Sequence, residues 1–386
     1  MESTWWTQPS QLDADQQQVV ALPLEGNHLV VGPPGSGKTN LLILRATYLH
    51  RSKIRDTVIL TFGRVLREFL ASGSENYNFS NEKIQTYVKW ATMLLKEHGI
   101  AIQETGELPE VREKILQGFR DLLSSGAEIS KYDCILIDEA QDYTSEEIEV
   151  FNALSKSIFA VGDDKQRIYQ STGALNELGK FCETTPLRFH YRNGVKISRT
   201  ADGVMGQLDS PSGLEALSQY NEGLYPSSVT ELGSLSISEQ VEHAIPEIET
   251  QLRAYPGEAI GVLCPRHIEL AEITKILENS RLSNQIMVQR HSDGYAALDR
   301  ERPVIVTTLH SAKGLEFRAV HLLGMENIKN FGSSQKRMTF TGITRAKTSL
   351  SVYYDRSVPG YLEKGLASVE ADVEPPTLDQ LFRGGF

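Results

Sequence analysis

The sequence predicts an α/β chain made of two blocks, each a parallel sheet flanked by helices. Three observations carry this. The apolar run Leu29-Val30-Val31 leads through Gly32-Pro33-Pro34-Gly35-Ser36-Gly37-Lys38-Thr39 into the helical run Asn40–Leu44, the strand, glycine-rich loop and helix order of a P-loop. A second apolar run, Tyr132–Ile137, ends in the acidic pair Asp138-Glu139, at the strand end where doubly wound sheets hold their ligands. Strands alternate with helices from residue 29 to 190, and a second alternating block begins near Tyr191.

The elements follow in order. Asp13 or Asp15 is placed to cap a short helix that ends before Pro23. After the P-loop, the strand Thr57–Phe62 runs into a helix over Arg64–Ala71, and 72–82 reads as a loop rich in Ser, Asn and Gly. Two helices are expected over Glu82–His98 and Glu110–Ser124, and a further strand over Ser157–Val161 ends in Gly162-Asp163-Asp164-Lys165-Gln166. In the second block, strands are expected near Val229–Leu235, Ala259–Leu263, Gln285–Gln289, Pro303–Thr308, Val320–Leu323 and Leu350–Tyr354. Helices over Glu239–Arg253 and Glu269–Asn279 separate some of them. The expected domains are 1–190, with a short helical insertion near 72–130, then 191–365, then a tail over 366–386.

At 386 residues the chain has room for two domains. The net charge of −11 argues against a surface that coats DNA electrostatically, and leaves room only for a local basic groove. No apolar run approaches the roughly 20 residues a membrane helix needs. The start, Met1–Trp6, lacks the basic region and apolar core of a secretory signal. Cys134, Cys182 and Cys264 lie far apart, without metal-ligand spacing, two of them inside apolar runs as core thiols. A cytoplasmic chain is expected, with no membrane partner.

The chemistry starts at the P-loop. Its glycines let the loop curl so that backbone N–H groups face inward and cradle phosphate oxygens, and the helix N-terminus adds donors and partial positive charge. Lys38 is placed to reach the outer phosphates, and Thr39 to offer its hydroxyl to Mg2+. Asp138 is expected to hold that magnesium through water, and Glu139 to polarise an attacking water. A nucleoside triphosphate site follows from these residues.

With Ala140-Gln141-Asp142 after the acidic pair, with Thr308-Leu309-His310-Ser311-Ala312-Lys313-Gly314-Leu315-Glu316-Phe317 and with Phe340–Lys347, the chain resembles superfamily one helicases of the UvrD/Rep/PcrA type. The matches run in family order from Gln16 to Lys347. The resemblance implies two RecA-like P-loop domains with ATP in the cleft between them. It implies that Gln16 reads the adenine, Tyr191 stacks on it, and Glu316 contacts the ribose. It further implies that Gln166 senses the γ-phosphate and that Arg192 and Arg345 reach it from the second domain, where guanidinium forks suit the spread charge of phosphoryl transfer. For single-stranded DNA it implies contacts from Thr61, Phe62, Thr86, Tyr87, Tyr169, Thr308 and His310, with sequence-tolerant stacking on the rings.

This sequence departs from the family at several places. The third motif reads Tyr169-Gln170-Ser171-Thr172, without the stacking tryptophan and the arginine that follow in relatives, and Phe340 stands where tyrosine is usual. The stretches from Tyr87 to Asp138 and from Arg266 to Thr308 are too short for full accessory domains. A minimal ATP-dependent motor on single-stranded DNA, moving three-prime to five-prime, is therefore expected. An ATP-gated switch controlling a partner nuclease or effector is the alternative, and RNA is a third option as the strand. A protein partner would dock at the reduced accessory region or at the tail segment Thr377–Phe382.

Overall fold

The computed structural model describes residues 12–62, 67, 79–163, 173–289, 301–328 and 332–370. They form two compact units. The first holds the described residues up to Arg192, with Gln289 and the turn Lys313–Leu315; the second holds the others.

In the first unit the order is α1 (Ala14–Val20), β1 (His28–Val31), α2 (Lys38–Arg51), β2 (Thr57–Thr61), β3 (Ile84–Thr86), α3 (Tyr87–Glu97), α4 (Leu108–Ser124), β4 (Cys134–Ile137), α5 (Ser145–Leu154), β5 (Ile158–Gly162), α6 (Ala174–Gly179) and β6 (Glu183–Pro186). The strands pair in parallel in the order β3-β2-β4-β5-β1-β6. β2, β4 and β5 are buried at every position, which is why they read as unbroken apolar runs. Successive side chains leave opposite faces. Val58 and Leu60 join Ile135 and Ile137 in a core with Tyr87, Trp90, Phe119, Tyr143 and Phe151. Ile59 and Leu136 join Leu41, Leu42 and Leu49 on the other side. The edge strand β6 is mostly exposed and ends in Pro186, a residue an edge tolerates.

One element corrects the sequence reading. The helix expected over Glu82–His98 starts only at Tyr87. Before it, Asn81–Lys83 makes a 3-10 turn and Ile84–Thr86 pairs with Ile59–Thr61 as β3. The partner edge of β2 gives Ile84-Gln85-Thr86 ladder hydrogen bonds that a helix would not, so tertiary pairing outweighs local pattern. The helix expected over 64–71 lies outside the described residues except for Arg67, as do residues 72–78 of the expected loop.

The second unit runs α7 (Val195–Met205), β7 (Ser228–Leu232), α8 (Ile237–Ala254), β8 (Ile260–Cys264), α9 (His267–Glu278), β9 (Ile286–Val288), β10 (Val304–Thr308), β11 (Phe317–Leu322), α10 (Ser333–Ile343), β12 (Ala346–Tyr353) and α11 (Gly360–Glu370). Its sheet is parallel in the order β7-β12-β11-β8-β10-β9. All six strands expected from the sequence are present, shifted by a few residues at their ends. The helices α7, α10 and α11 fall where the sequence reading names no individual helix. α7 and α11 pack through glycines: a Cβ on Gly203 would lie 2.6 Å from the Cα of Gly365. No helix of the described residues is long and apolar enough to cross a membrane.

Candidate nucleotide-binding site

β1 delivers the chain into Gly32–Thr39 at the C-terminal edge of the first sheet. Gly35 and Gly37 both take left-handed backbone angles, at φ +77° and +84°, that favour glycine. Space demands glycine as well. A Cβ on Gly35 would meet the Cβ of Arg192 at 2.5 Å, and one on Gly37 would meet Gln16 Nε2 at 2.8 Å. α2 begins at Lys38 with Gly37 as its cap residue, so no side chain competes for the first N–H groups of the helix. Lys38 Nζ donates to the carbonyls of Gly32 at 2.7 Å and Pro33 at 2.8 Å. Burial lowers its pKa, with Arg192 adding to that and Asp163 and Glu139 opposing it.

The acid pair leaves the end of β4, two strands from β1 with β5 between. Thr39 Oγ1 donates to Asp138 Oδ2 at 3.1 Å, and Asp138 Oδ1 accepts from the Glu139 N–H at 2.9 Å. Burial and then the charge of Glu139 push the Asp138 carboxyl up to about 7. Glu139 itself has φ +50°, a strained angle for a residue with a side chain, and it turns the chain sharply after the strand. Gln141 Nε2 donates to Glu139 Oε2, while Gln141 Oε1 accepts from the Asp163 N–H at 2.9 Å. The catalytic candidate is thereby tied to the end of β5.

Two cations meet at Asp142, and neither carries a separate signal in the sequence. Lys313 clusters with the first unit and donates to both carboxylate oxygens of Asp142, at 2.7 and 2.6 Å, and lies 3.8 Å from Glu139. Burial pushes the Asp142 carboxyl up to about 6, with Lys313 opposing. Arg112, from α4, donates to Glu147 Oε1 at 2.8 Å, also to Glu147 Oε2, and to the Asp142 carbonyl at 3.1 Å. Lys313 stood in a quoted motif without a role assigned. Arg112 sits among the charged positions of an amphipathic helix, with nothing in sequence to separate it from its solvated neighbours.

The other candidates are distributed as follows. Gln16 is buried in α1, and its Nε2 donates to the Ser36 carbonyl at 3.0 Å. Asp13, one of the two cap candidates, is the cap of α1. The Tyr191 N–H donates to the Gly35 carbonyl at 3.1 Å and its hydroxyl donates to Asp13. Burial and that hydrogen bond raise the Tyr191 pKa. In the second unit, Arg345 is buried, its Nε donates to the Thr341 carbonyl at 3.2 Å, and Glu316 lies 3.5 Å from Lys347. The Phe317 N–H donates to the Arg345 carbonyl at 2.9 Å, which sets Glu316 and Arg345 at neighbouring strand starts. Thr308 is buried at the end of β10 and accepts from the Ser311 N–H at 3.2 Å, shaping the turn that carries the half-buried His310. Gln166 and Tyr169 lie outside the described residues.

Of the strand-contact candidates, Thr61 and Thr86 are register partners at the same sheet edge. Phe62 is half-buried, edge-on to Tyr143 at 5.7 Å and under the Arg112 guanidinium at 4.9 Å. Tyr87 is only 2% exposed and packs against Trp90, Tyr143 and Phe151, so it presents no ring to a base.

Comparison with known families adds to this geometry. Residues 16–172 match the AAA domain model, and residues 303–353 match the UvrD-like helicase C-terminal domain. These matches support a helicase of the UvrD/Rep type. A stretch of 106 residues is 35% identical to DNA helicase IV of Escherichia coli (strain K12), covering 23% of this chain and 16% of that protein. The chain thus spans well under a fifth of that relative's length. Among solved structures, the PRRSV helicase is 14% identical, with a TM-score of 0.43 over 88% of this chain and 54% of that one. The C-terminal domain of a possible DNA helicase from a Lactobacillus strain, WCFS1, is 16% identical, with a TM-score of 0.33 over 46% of this chain and 96% of that one.

The residues present fit a magnesium nucleotide. Thr39 and Asp138 supply two hard oxygens 3.1 Å apart, and Mg2+ takes few protein ligands, completing its shell from water and phosphate. No cluster of three or more His, Cys, Asp or Glu side chains suited to a metal occurs among the described residues.

Proposed function

We propose that this chain is an ATP-dependent motor on single-stranded DNA, moving three-prime to five-prime. The observation that carries the reading is the Thr39–Asp138 hydrogen bond, which sets the P-loop and the acid pair side by side at one sheet edge. In this reading the backbone of Gly35–Thr39 binds the phosphates, and Lys38 leaves the Gly32 and Pro33 carbonyls to pair with them. Thr39 and, through water, Asp138 would hold a magnesium ion, which when bound would screen the phosphate charge. Glu139, oriented by Gln141, accepts a proton from the attacking water. Arg192 and Arg345 stabilise the charge on the transferring phosphoryl group, with Gln166 as a sensor of its presence. Gln16 and Tyr191 take the base and Glu316 the ribose. Phe62, Thr86, Tyr169 and His310 grip the strand, and the buried Thr61 and Thr308 end the β-strands that lead to Phe62 and His310.

The insertion between β3 and β4 consists of α3 and α4. That small size favours translocation over robust duplex separation, and keeps the ATP-gated switch as the second reading. Steady-state ATPase with single-stranded DNA, RNA and duplex, beside strand displacement on tailed duplexes, tests both. Strong stimulation by a single strand supports the motor. Turnover indifferent to any nucleic acid sinks it in favour of the switch.

A further inference from the structure

A closed ring of hydrogen bonds joins three segments beside the P-loop. Asp13 Oδ1 accepts from the Gln16 N–H at 2.8 Å, and Gln16 Nε2 donates to the Ser36 carbonyl at 3.0 Å. One residue back, the Gly35 carbonyl accepts from the Tyr191 N–H at 3.1 Å, and the Tyr191 hydroxyl donates to Asp13 Oδ2, closing the circuit. The Asp13 N–H also donates to Gln16 Oε1 at 3.2 Å, so both ends of that amide are held. Next to the ring, Arg188 forks onto Asp15 at 2.9 and 2.7 Å, fastening the segment before Tyr191 to α1 a second time.

An N-cap needs only one carboxylate oxygen, so the second bond of Asp13 is surplus to helix capping. It fixes an aromatic ring that is 38% exposed, through a charge-assisted hydrogen bond. We propose that Asp13 is a positioning residue for the nucleotide base, its two oxygens holding Gln16 and Tyr191 in one frame on the P-loop. The inference rests on the reading that the base lies at Gln16 and Tyr191. A ring and an amide held in fixed relation lose little freedom on binding, which lowers the cost of ordering them around a purine. The same rigidity discriminates between purines, because the remaining donor and acceptor of Gln16 cannot swing to suit a different edge.

The test uses the full chain with Tyr191→Phe, Asp13→Ser and the double variant. Tyr191→Phe removes only the hydroxyl, and Asp13→Ser keeps a cap while losing the reach to Tyr191. Each single change should raise KM for ATP about threefold to tenfold while kcat moves by less than about twofold, the signature of lost binding. The double variant should be no worse than the worse single, since both break one bond. KM for GTP should move less, so the preference for ATP falls. Single changes that leave KM for ATP within about twofold, effects that multiply in the double variant, or a matching rise for GTP would overturn the inference. Tyr191→Phe alone decides if Asp13→Ser does not fold. Wild type that neither binds nor hydrolyses ATP would defeat the underlying reading instead, whereas wild-type turnover matched by the variants defeats only the role of Asp13.

Discussion

Thr39 and Asp138 stand 99 positions apart in sequence, yet the threonine hydroxyl donates to the aspartate at 3.1 Å. The bond joins the first turn of α2 to the end of β4 across the strand β5, which lies between β1 and β4. It explains why a loop and an acidic pair separated by two strands and a two-helix insertion can act as one site. The parallel sheet brings the ends of β1, β4 and β5 to the same edge, and a hydroxyl and a carboxylate are what a hard divalent cation takes.

Arg112 is expected to be the main electrostatic support of this edge. Its partner Glu147 has a side chain only 2% exposed, so Arg112→Met leaves a buried carboxylate without its guanidinium. The loss should be about 3–5 kcal/mol in unfolding free energy, read by denaturant titration. Arg112→Met with Glu147→Gln should recover part of it, because no uncompensated charge remains. A single variant as stable as wild type would show that the fork contributes nothing.

The three thiols should be inert in the folded chain. All are free and buried; burial pushes Cys134 up to about 11 and Cys182 up to about 12, and raises Cys264 as well. The thiolate is the reactive form. A disulfide reagent at pH 8 should therefore modify none of them until denaturant is added, and then all three. Rapid labelling of any one in the native state would contradict the packing.

Acid should loosen the second unit through His321. The ring is fully buried in β11, with the Tyr353 hydroxyl 3.1 Å from Nδ1, Gln251 Oε1 2.9 Å from Nε2, and Glu247 4.0 Å away. Burial lowers its pKa to about 4, with Glu247 opposing. Because the folded pKa lies below the unfolded one near 6.5, the unfolded chain binds the extra proton in between. Stability is therefore full above about pH 6.5 and falls as pH drops toward 4, by up to roughly 3 kcal/mol. Thermal melts across that window should show the fall in wild type and a flatter curve for His321→Gln. Parallel curves would remove His321 as the cause.

Much of the fold was legible because parallel strands buried on both faces write themselves as short apolar runs, as Ile135–Ile137 and Val304–Val306 do. Gly32–Thr39 and Asp138-Glu139 were legible because phosphate and magnesium chemistry restricts the residue types allowed. β3 was not, since Ile84-Gln85-Thr86 becomes a strand only through the free edge of β2. Tyr87 shows the limit of motif reading: the position matches a strand contact, but the ring is in the core. Arg112 and Asp13 were illegible as site residues for a different reason. Their roles depend on which distant groups the fold brings within hydrogen-bond reach, and a charged side chain on a helix or at a cap reads the same whether it is solvated or engaged.

Lys38, Thr39, Asp138 and Glu139 are expected to form an ATPase driven by a single strand. Steady-state ATP hydrolysis by wild type and Lys38→Ala, each with and without single-stranded DNA, tests it most directly. Wild type should be strongly stimulated by the strand, and the variant should lose at least about a hundredfold with its folded structure retained. Strand-stimulated turnover that survives unchanged in Lys38→Ala would contradict it.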